Sequence, residues 1–309
     1  MKISFKKIAL AFTAAALLAG CGASEEKPSQ DPVQIAVPND ATNQGRAIKL
    51  LESAGLIEVD PAAGWVPETK DITKYLYNIE VVPQDANTLP TTLDDLGAAT
   101  INGTYAIPAN LLPSKDGLIT ENQSDASGES ENPFVNVIAA RTEDKDNPTY
   151  KKIAEAFHTD IVGQYIIAKY SEAFIPAFDY QNTDKSNEEL LDLIDNYESD
   201  AAGKEKVVIG VCGASNDHWK AVQYQLDQEN AGIYIELQVY DQYTIPNDAL
   251  NNGEIDLNSF QHKAYLANEV DTQGYKIESI GDTLMAPLTL YSKKYDSVDA
   301  IKAAAGALE

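Results

Sequence analysis

Cysteine is all but absent: two residues in 309, Cys21 and Cys212. If Cys21 is used by the N-terminal chemistry argued below, Cys212 has no partner in the chain, so no intramolecular disulfide holds the fold together. Histidine is nearly as scarce. His158, His218 and His262 stand far apart, with no cysteine or carboxylate at zinc-site spacing, which argues against a metal centre; nothing else in the sequence asks for a cofactor. Positive charge is in deficit, 23 Lys and Arg against 48 Asp and Glu, for a formal charge of −25. A field of that sign repels nucleic acid and gives no electrostatic help toward anionic lipid. Apolar runs are short. The longest, Ile8 to Leu18, falls below the roughly 20 residues of a membrane-spanning helix, and no later stretch could span a bilayer.

What is present begins with that run. Lys2, Lys6 and Lys7 precede it and Leu18-Ala19-Gly20-Cys21 closes it, with small residues where a signal peptidase must seat the chain. This predicts an export signal over 1–20. The closing tetrapeptide resembles the bacterial lipobox, in which the thiol is acylated and the chain is cut just before it. Cys21 is then the lipidated first residue of a protein held on the extracytoplasmic face of a cell membrane by its lipid alone. Residues 21–32 are too polar to bury a face and read as a flexible tether, so the folded part is expected to begin at Val33.

With 44% hydrophobic residues the chain can bury a sizeable core and has the length for two lobes. Short apolar strands alternate with amphipathic helices, the signature of the α/β class. Ile35-Ala36-Val37 reads as a buried strand. Thr42 is expected to cap a helix that carries Ala47, Leu50, Leu51 and Ala54 on one face until Gly55 stops it. Strands are expected at 79–82, 98–101, 117–120 and 134–140, and helices at 149–157 and 160–169. Residues 179–206 are acidic and polar and read as a linker, with at most a short helix on Leu190, Leu191 and Ile194. A strand at 207–211, a helix at 217–228 and a strand at 233–239 then repeat the rhythm. Ser124 to Asn132, rich in Ser, Gly and Glu, is expected to be a solvated loop.

Several segments say more than class. Val37-Pro38-Asn39-Asp40-Ala41-Thr42-Asn43-Gln44-Gly45-Arg46 runs from a strand into a helix, and Ala99-Thr100-Ile101-Asn102-Gly103-Thr104-Tyr105-Ala106 and Pro133-Phe134-Val135-Asn136-Val137-Ile138 follow. Farther on, Tyr240-Asp241-Gln242-Tyr243 leads to Ile255-Asp256-Leu257-Asn258-Ser259-Phe260-Gln261-His262-Lys263-Ala264-Tyr265-Leu266, and then to Leu290-Tyr291-Ser292-Lys293-Lys294. Together they resemble the NlpA family of methionine-binding lipoproteins over nearly everything from Val33 onward, outside the linker and the Ser124 loop. In that family the Phe-Gln-His and Tyr-Ser-Lys-Lys segments precede the Pro-Asn-Asp segment. Here they follow it, so the chain resembles a circular permutant whose acidic linker joins the old ends; a truncated tandem duplication is the alternative.

The resemblance implies a two-lobed periplasmic-binding-protein-like α/β fold of type II with its ligand in the cleft. One lobe would hold 33–137 plus 293–309 and the other 138–292, with the linker 179–206 inside it. It also implies a small amino acid, L-methionine foremost, as ligand, and the permease and ATPase of an ABC importer as partners.

A buried amino acid needs its carboxylate, ammonium and side chain matched. Arg46 suits the carboxylate, because a guanidinium makes bidentate pairs and the first turn of a helix favours an anion. Asn102 and Asn136, at strand ends, could serve the head group, though asparagine there is also ordinary turn chemistry. Tyr243, Phe260, His262 and Tyr265 offer aromatic walls to a thioether, with core packing and helix capping as their ordinary uses. Cys212, at a strand end before Gly213-Ala214-Ser215, is the candidate nucleophile, but no base accompanies it, so binding and not turnover is expected. A sensor that binds another small amino acid or peptide without transport stays open.

Overall fold

The computed structural model describes residues 31–64, 66–122 and 132–308. The expected signal, Cys21, nearly all of the tether and most of the Ser124 loop lie outside the described residues. The strands are β1 Val33–Pro38, β2 Ile57–Val59, β3 Ile72–Tyr75, β4 Ile79–Gln84, β5 Ala98–Ile101, β6 Gly117–Thr120, β7 Val135–Arg141, β8 Ile175–Pro176, β9 Glu205–Cys212, β10 Ile233–Tyr240, β11 Leu257–Asn258, β12 Ile277–Met285 and β13 Thr289–Tyr291. The longer helices are α1 Ala41–Ser53, α2 Pro148–Phe157, α3 Asp160–Tyr170, α4 Asn187–Asp195, α5 His218–Gln228, α6 Lys263–Gln273 and α7 Val298–Ala305.

Two mixed sheets carry the fold, ordered β4-β1-β5-β13-β6 and β10-β9-β11-β7-β12-β8, with β2-β3 as a separate pair. Their plans match. In the first, β1 lies between parallel β4 and β5, and the antiparallel β13 follows; in the second, β9 lies between parallel β10 and β11, and the antiparallel β7 follows. Each antiparallel strand arrives by a crossing: 121–134 lead from β6 to β7, and 286–288 lead from β12 back to β13. Central parallel strands are covered on both faces and so read as apolar runs, as in β1, where Ile35, Ala36 and Val37 are fully buried.

Several expectations shift. Helix α1 is capped by Asp40, not Thr42: the Asp40 carboxylate accepts the Asn43 backbone N–H at 2.9 Å, two residues nearer the strand. The boundary expected at 137/138 falls inside β7, which belongs whole to the six-stranded sheet, and the one at 292/293 falls after β13, which belongs to the five-stranded sheet. The acidic stretch is less of a linker than its composition suggests. Ser186 and Glu189 form a capping box for α4, and Leu190 and Ile194 are fully buried in the core of the six-stranded half.

The N-terminal strand and the C-terminal residues meet. The Val33 N–H donates to the Asn78 carbonyl at 3.0 Å, the Asn78 N–H donates to the Gly306 carbonyl at 3.0 Å, and Ile301 and Ala305 of α7 share a core with Val33, Ile35 and Val37. Among the described residues no helix is long and apolar enough to cross a membrane.

Candidate ligand-binding site

The turns that follow β1, β5, β10 and β11 line one cavity with about 340 Å³ of empty space. This is where open α/β sheets place ligands, outside the carboxyl ends of parallel strands. Arg46, Asn102, Asn136, Tyr243, Phe260, His262 and Tyr265 all line it, so the structure brings every expected side chain to one place. The first two come from the five-stranded half and the other five from the six-stranded half.

Arg46 is buried and heavily engaged. Its Nε donates to Glu121 Oε1 at 3.1 Å, its Nη2 to Glu121 Oε2 at 2.6 Å and to the Ala286 carbonyl at 3.1 Å, and its Nη1 to Asn43 Oδ1 at 3.1 Å. The guanidinium also lies over the Phe134 ring, 4.7 Å from its centroid. Among the described residues, four of its five N–H groups have an acceptor and one on Nη1 does not. The bidentate fork that the sequence reading offers to a ligand is thus turned toward an internal carboxylate, from a residue next to the crossing.

Asn43, one helical turn before Arg46, is a hub that sequence reasoning passed over. Its Oδ1 accepts from Arg46, from Asn102 Nδ2 at 2.9 Å and from the His262 ring at 3.3 Å, while its Nδ2 donates to both Asp40 carboxylate oxygens. The signal was the i, i+3 spacing to Arg46 on one helix face. Glu121 gave no signal, because its pairing partner lies 75 positions away. Thr104 and Gln261 also line the cavity and were not anticipated; Ala286 lines it too.

The His262 tautomer follows from its partners. The Tyr265 backbone N–H donates to Nδ1 at 3.1 Å, capping α6, so in the neutral ring Nε2 carries the hydrogen and donates to Asn43 Oδ1. Neutral it is: burial, aided by the Arg46 charge, holds its pKa well below the ordinary imidazole value. Among the described residues Asn102 Oδ1 is buried without a hydrogen-bond partner, an acceptor on a residue that lines the cavity. The aromatic wall packs on itself, Tyr243 stacked with Phe260 at 5.9 Å and Phe260 edge-on to Tyr265 at 6.0 Å.

Cys212 lies in a neighbouring cavity and not in this one. Burial, with the Asp241 carboxylate nearby, pushes its thiol up and disfavours the thiolate a nucleophile needs, and the S–H points to the Gln242 carbonyl at 3.6 Å. Among the described residues no group of three or more His, Cys, Asp or Glu could hold a metal.

Comparison with known proteins gives a family, two curated relatives and a solved structure. A model of the NlpA lipoprotein family matches residues 29–178 and 207–307. The D-methionine-binding lipoprotein MetQ of Escherichia coli K12 is 39% identical over 135 residues, 43% of this chain and 47% of that protein. Outer membrane lipoprotein 2 of Mannheimia haemolytica is 35% identical over 135 residues, 44% of this chain and 46% of that protein. The chain therefore spans about half the length of the curated relatives it matches. Among solved structures, a nutrient-binding protein from Burkholderia cenocepacia bound to methionine is 29% identical, covering 48% of this chain and 60% of that one with a TM-score of 0.41.

Proposed function

We propose, from the premise that this chain belongs to the NlpA lipoprotein family, that it is an extracytoplasmic solute-binding protein whose cleft takes methionine as the free amino acid. The observation that carries the reading is the gathering of Arg46, Asn102, Asn136 and the four aromatic side chains around one cavity. Asn102 Oδ1 accepts an ammonium N–H, Arg46 holds the carboxylate, and the aromatic wall takes the thioether, a contact of about 0.3–1.5 kcal/mol. Because Glu121 occupies the side-on fork, the ligand carboxylate either displaces it or binds through the free Nη1 hydrogen. Both enantiomers belong in the assay, since the Escherichia coli relative bears the D form in its name. Calorimetry of the full chain is expected to give one site for methionine and no detectable conversion of it; silence with both enantiomers would remove methionine as the ligand.

The rest of the reading follows from the family. Cys21 carries the lipid, the permease and ATPase of an ABC importer are the partners, and Cys21→Ser is expected to release the protein from membranes. The halves stand in permuted order. The shared contact of Val33 and Gly306 with Asn78 supports that order, because it places the two ends within reach of a direct join. A chain in which Leu308 runs straight into Val33, and which is opened at the exposed turn 200–202 instead, is expected to fold and bind as the original does. Failure of that chain to fold would favour a truncated duplication.

A further inference from the structure

Beside the first cavity lies a second, and Thr104, Asn136 and Phe260 line both. It sits where β9 turns into α5, with Cys212, Asn216 and His218 on one side and Thr283 of β12 on the other. By strand order this turn is the counterpart of the one between β1 and α1 that holds Asn43 and Arg46. The chemistry differs: among the described residues no Asp, Glu, Lys or Arg lines the second cavity. Two residues on its walls are almost wholly buried, Thr283 at 1% exposure and His218 at 5%, and among the described residues Thr283 Oγ1 and His218 Nδ1 have no hydrogen-bond partner. Such groups are normally satisfied, so two of them on residues that line one cavity mark a place where a partner is to arrive.

We propose that this second cavity is a subsite for an uncharged oxygen acceptor, a carbonyl or carboxamide, carried on an extension of the ligand whose head group sits at Arg46. The proposal rests on the amino-acid reading above. Thr283 donates its hydroxyl hydrogen, His218 donates in its Nδ1–H tautomer, and the first turn of α5 adds the positive end of its dipole. Burial keeps His218 neutral, its pKa pushed down to about 3. A carboxylate is disfavoured, because the cavity offers no cation to offset its desolvation, and an apolar group would leave both donors unpaired. The walls shared with the first cavity make the occupant an extension of that ligand and not a separate one.

The extension could come from the side chain or from the amine, and calorimetry on the full chain separates the two. The probes are L-glutamine for the first, N-acetyl-L-methionine for the second, L-glutamate as the charged control and L-methionine for the parent reading. At least one of the two uncharged probes is expected to bind. Thr283→Val is expected to weaken that probe about tenfold, the weight of one hydrogen bond, while leaving methionine within about twofold. Thr283→Ser, which keeps the hydroxyl, is expected to retain the affinity. Methionine binding without either uncharged probe would overturn the subsite and leave the parent reading standing, as would equal losses for probe and methionine in Thr283→Val. L-glutamate binding as well as L-glutamine would overturn the uncharged character. A probe that binds where methionine does not would keep the subsite and discard methionine. No binding by any probe would remove both.

Discussion

The half of the molecule built on β4-β1-β5-β13-β6 has a main core of Val, Ile, Leu and Ala, with buried Tyr105 and Tyr291 in a smaller second cluster, whereas the other half packs Tyr150, Phe157, Tyr165, Tyr170, Phe174 and Trp219 into one cluster. At the cleft the contrast is one of charge. The turn after β1 presents Arg46, paired with Glu121 and buttressed by Asn43, while the turn after β9 presents Asn216, Cys212 and a neutral His218. The strand plan is the same in both. Topology thus decides which turns face each other across the cleft, and the residues placed on those turns decide what each wall recognises.

The largest effect should come from breaking the charged wall. Arg46→Ala is expected to abolish methionine binding and to cost about 3–5 kcal/mol of stability, because it removes the guanidinium paired with the Glu121 carboxylate at 2.6 Å. Adding Glu121→Gln should recover most of that stability and none of the binding, as read by urea denaturation alongside calorimetry. Asn216→Ala, at the equivalent turn of the neutral wall, removes only uncharged bonds to the Cys212 and Gly213 carbonyls and is expected to cost about 1 kcal/mol.

A smaller effect follows from the neutral wall. His218 titrates near 6.5 when unfolded and near 3 when folded, so below pH 6.5 the unfolded chain binds the proton and the native state does not. Its contribution is complete above about pH 6.5 and is lost as pH falls toward 3, by at most about 1.4 kcal/mol per pH unit. His262 acts in the same direction. His218→Gln should flatten the fall in stability between pH 6.5 and 5; an unchanged slope would show that this histidine is not kept neutral by the fold.

The smallest contrast lies in the helix caps. Asp40 accepts the Asn43 N–H at the start of α1, whereas Asp217 makes no side-chain cap bond at the start of α5. Asp40→Ala is expected to cost about 1 kcal/mol and Asp217→Ala a few tenths, a difference that thermal melts can measure. Equal costs would mean that the two turns are more alike than their hydrogen bonds.

Much of this was legible in the sequence because it is local. The apolar run of β1, the amphipathic face of α1 and the strand after residue 206 announce themselves through periodicity, and the seven cavity residues stand within contiguous segments. What stayed hidden depends on distance. Glu121 meets Arg46 across 75 positions, and β13 is three residues long and gains its place only by lying between β5 and β6. Helix α4 looked like part of a linker because it carries as many acidic residues as apolar ones, four of each, yet Leu190 and Ile194 fall on one face and that face is buried. Composition described its surface and not its anchorage.

The position of β13 has a consequence for how the protein is made. A ribosome delivers β1, β4, β5 and β6 early, but the strand that joins β5 to β6 comes from 289–291, after the entire six-stranded half. Until then β5 and β6 each carry an open edge, and such edges invite pairing with other chains. The five-stranded half therefore cannot mature during synthesis as an independent unit. It must wait as an unfinished sheet, and whatever guards the nascent chain has to cover those edges while residues 121–288 are being made.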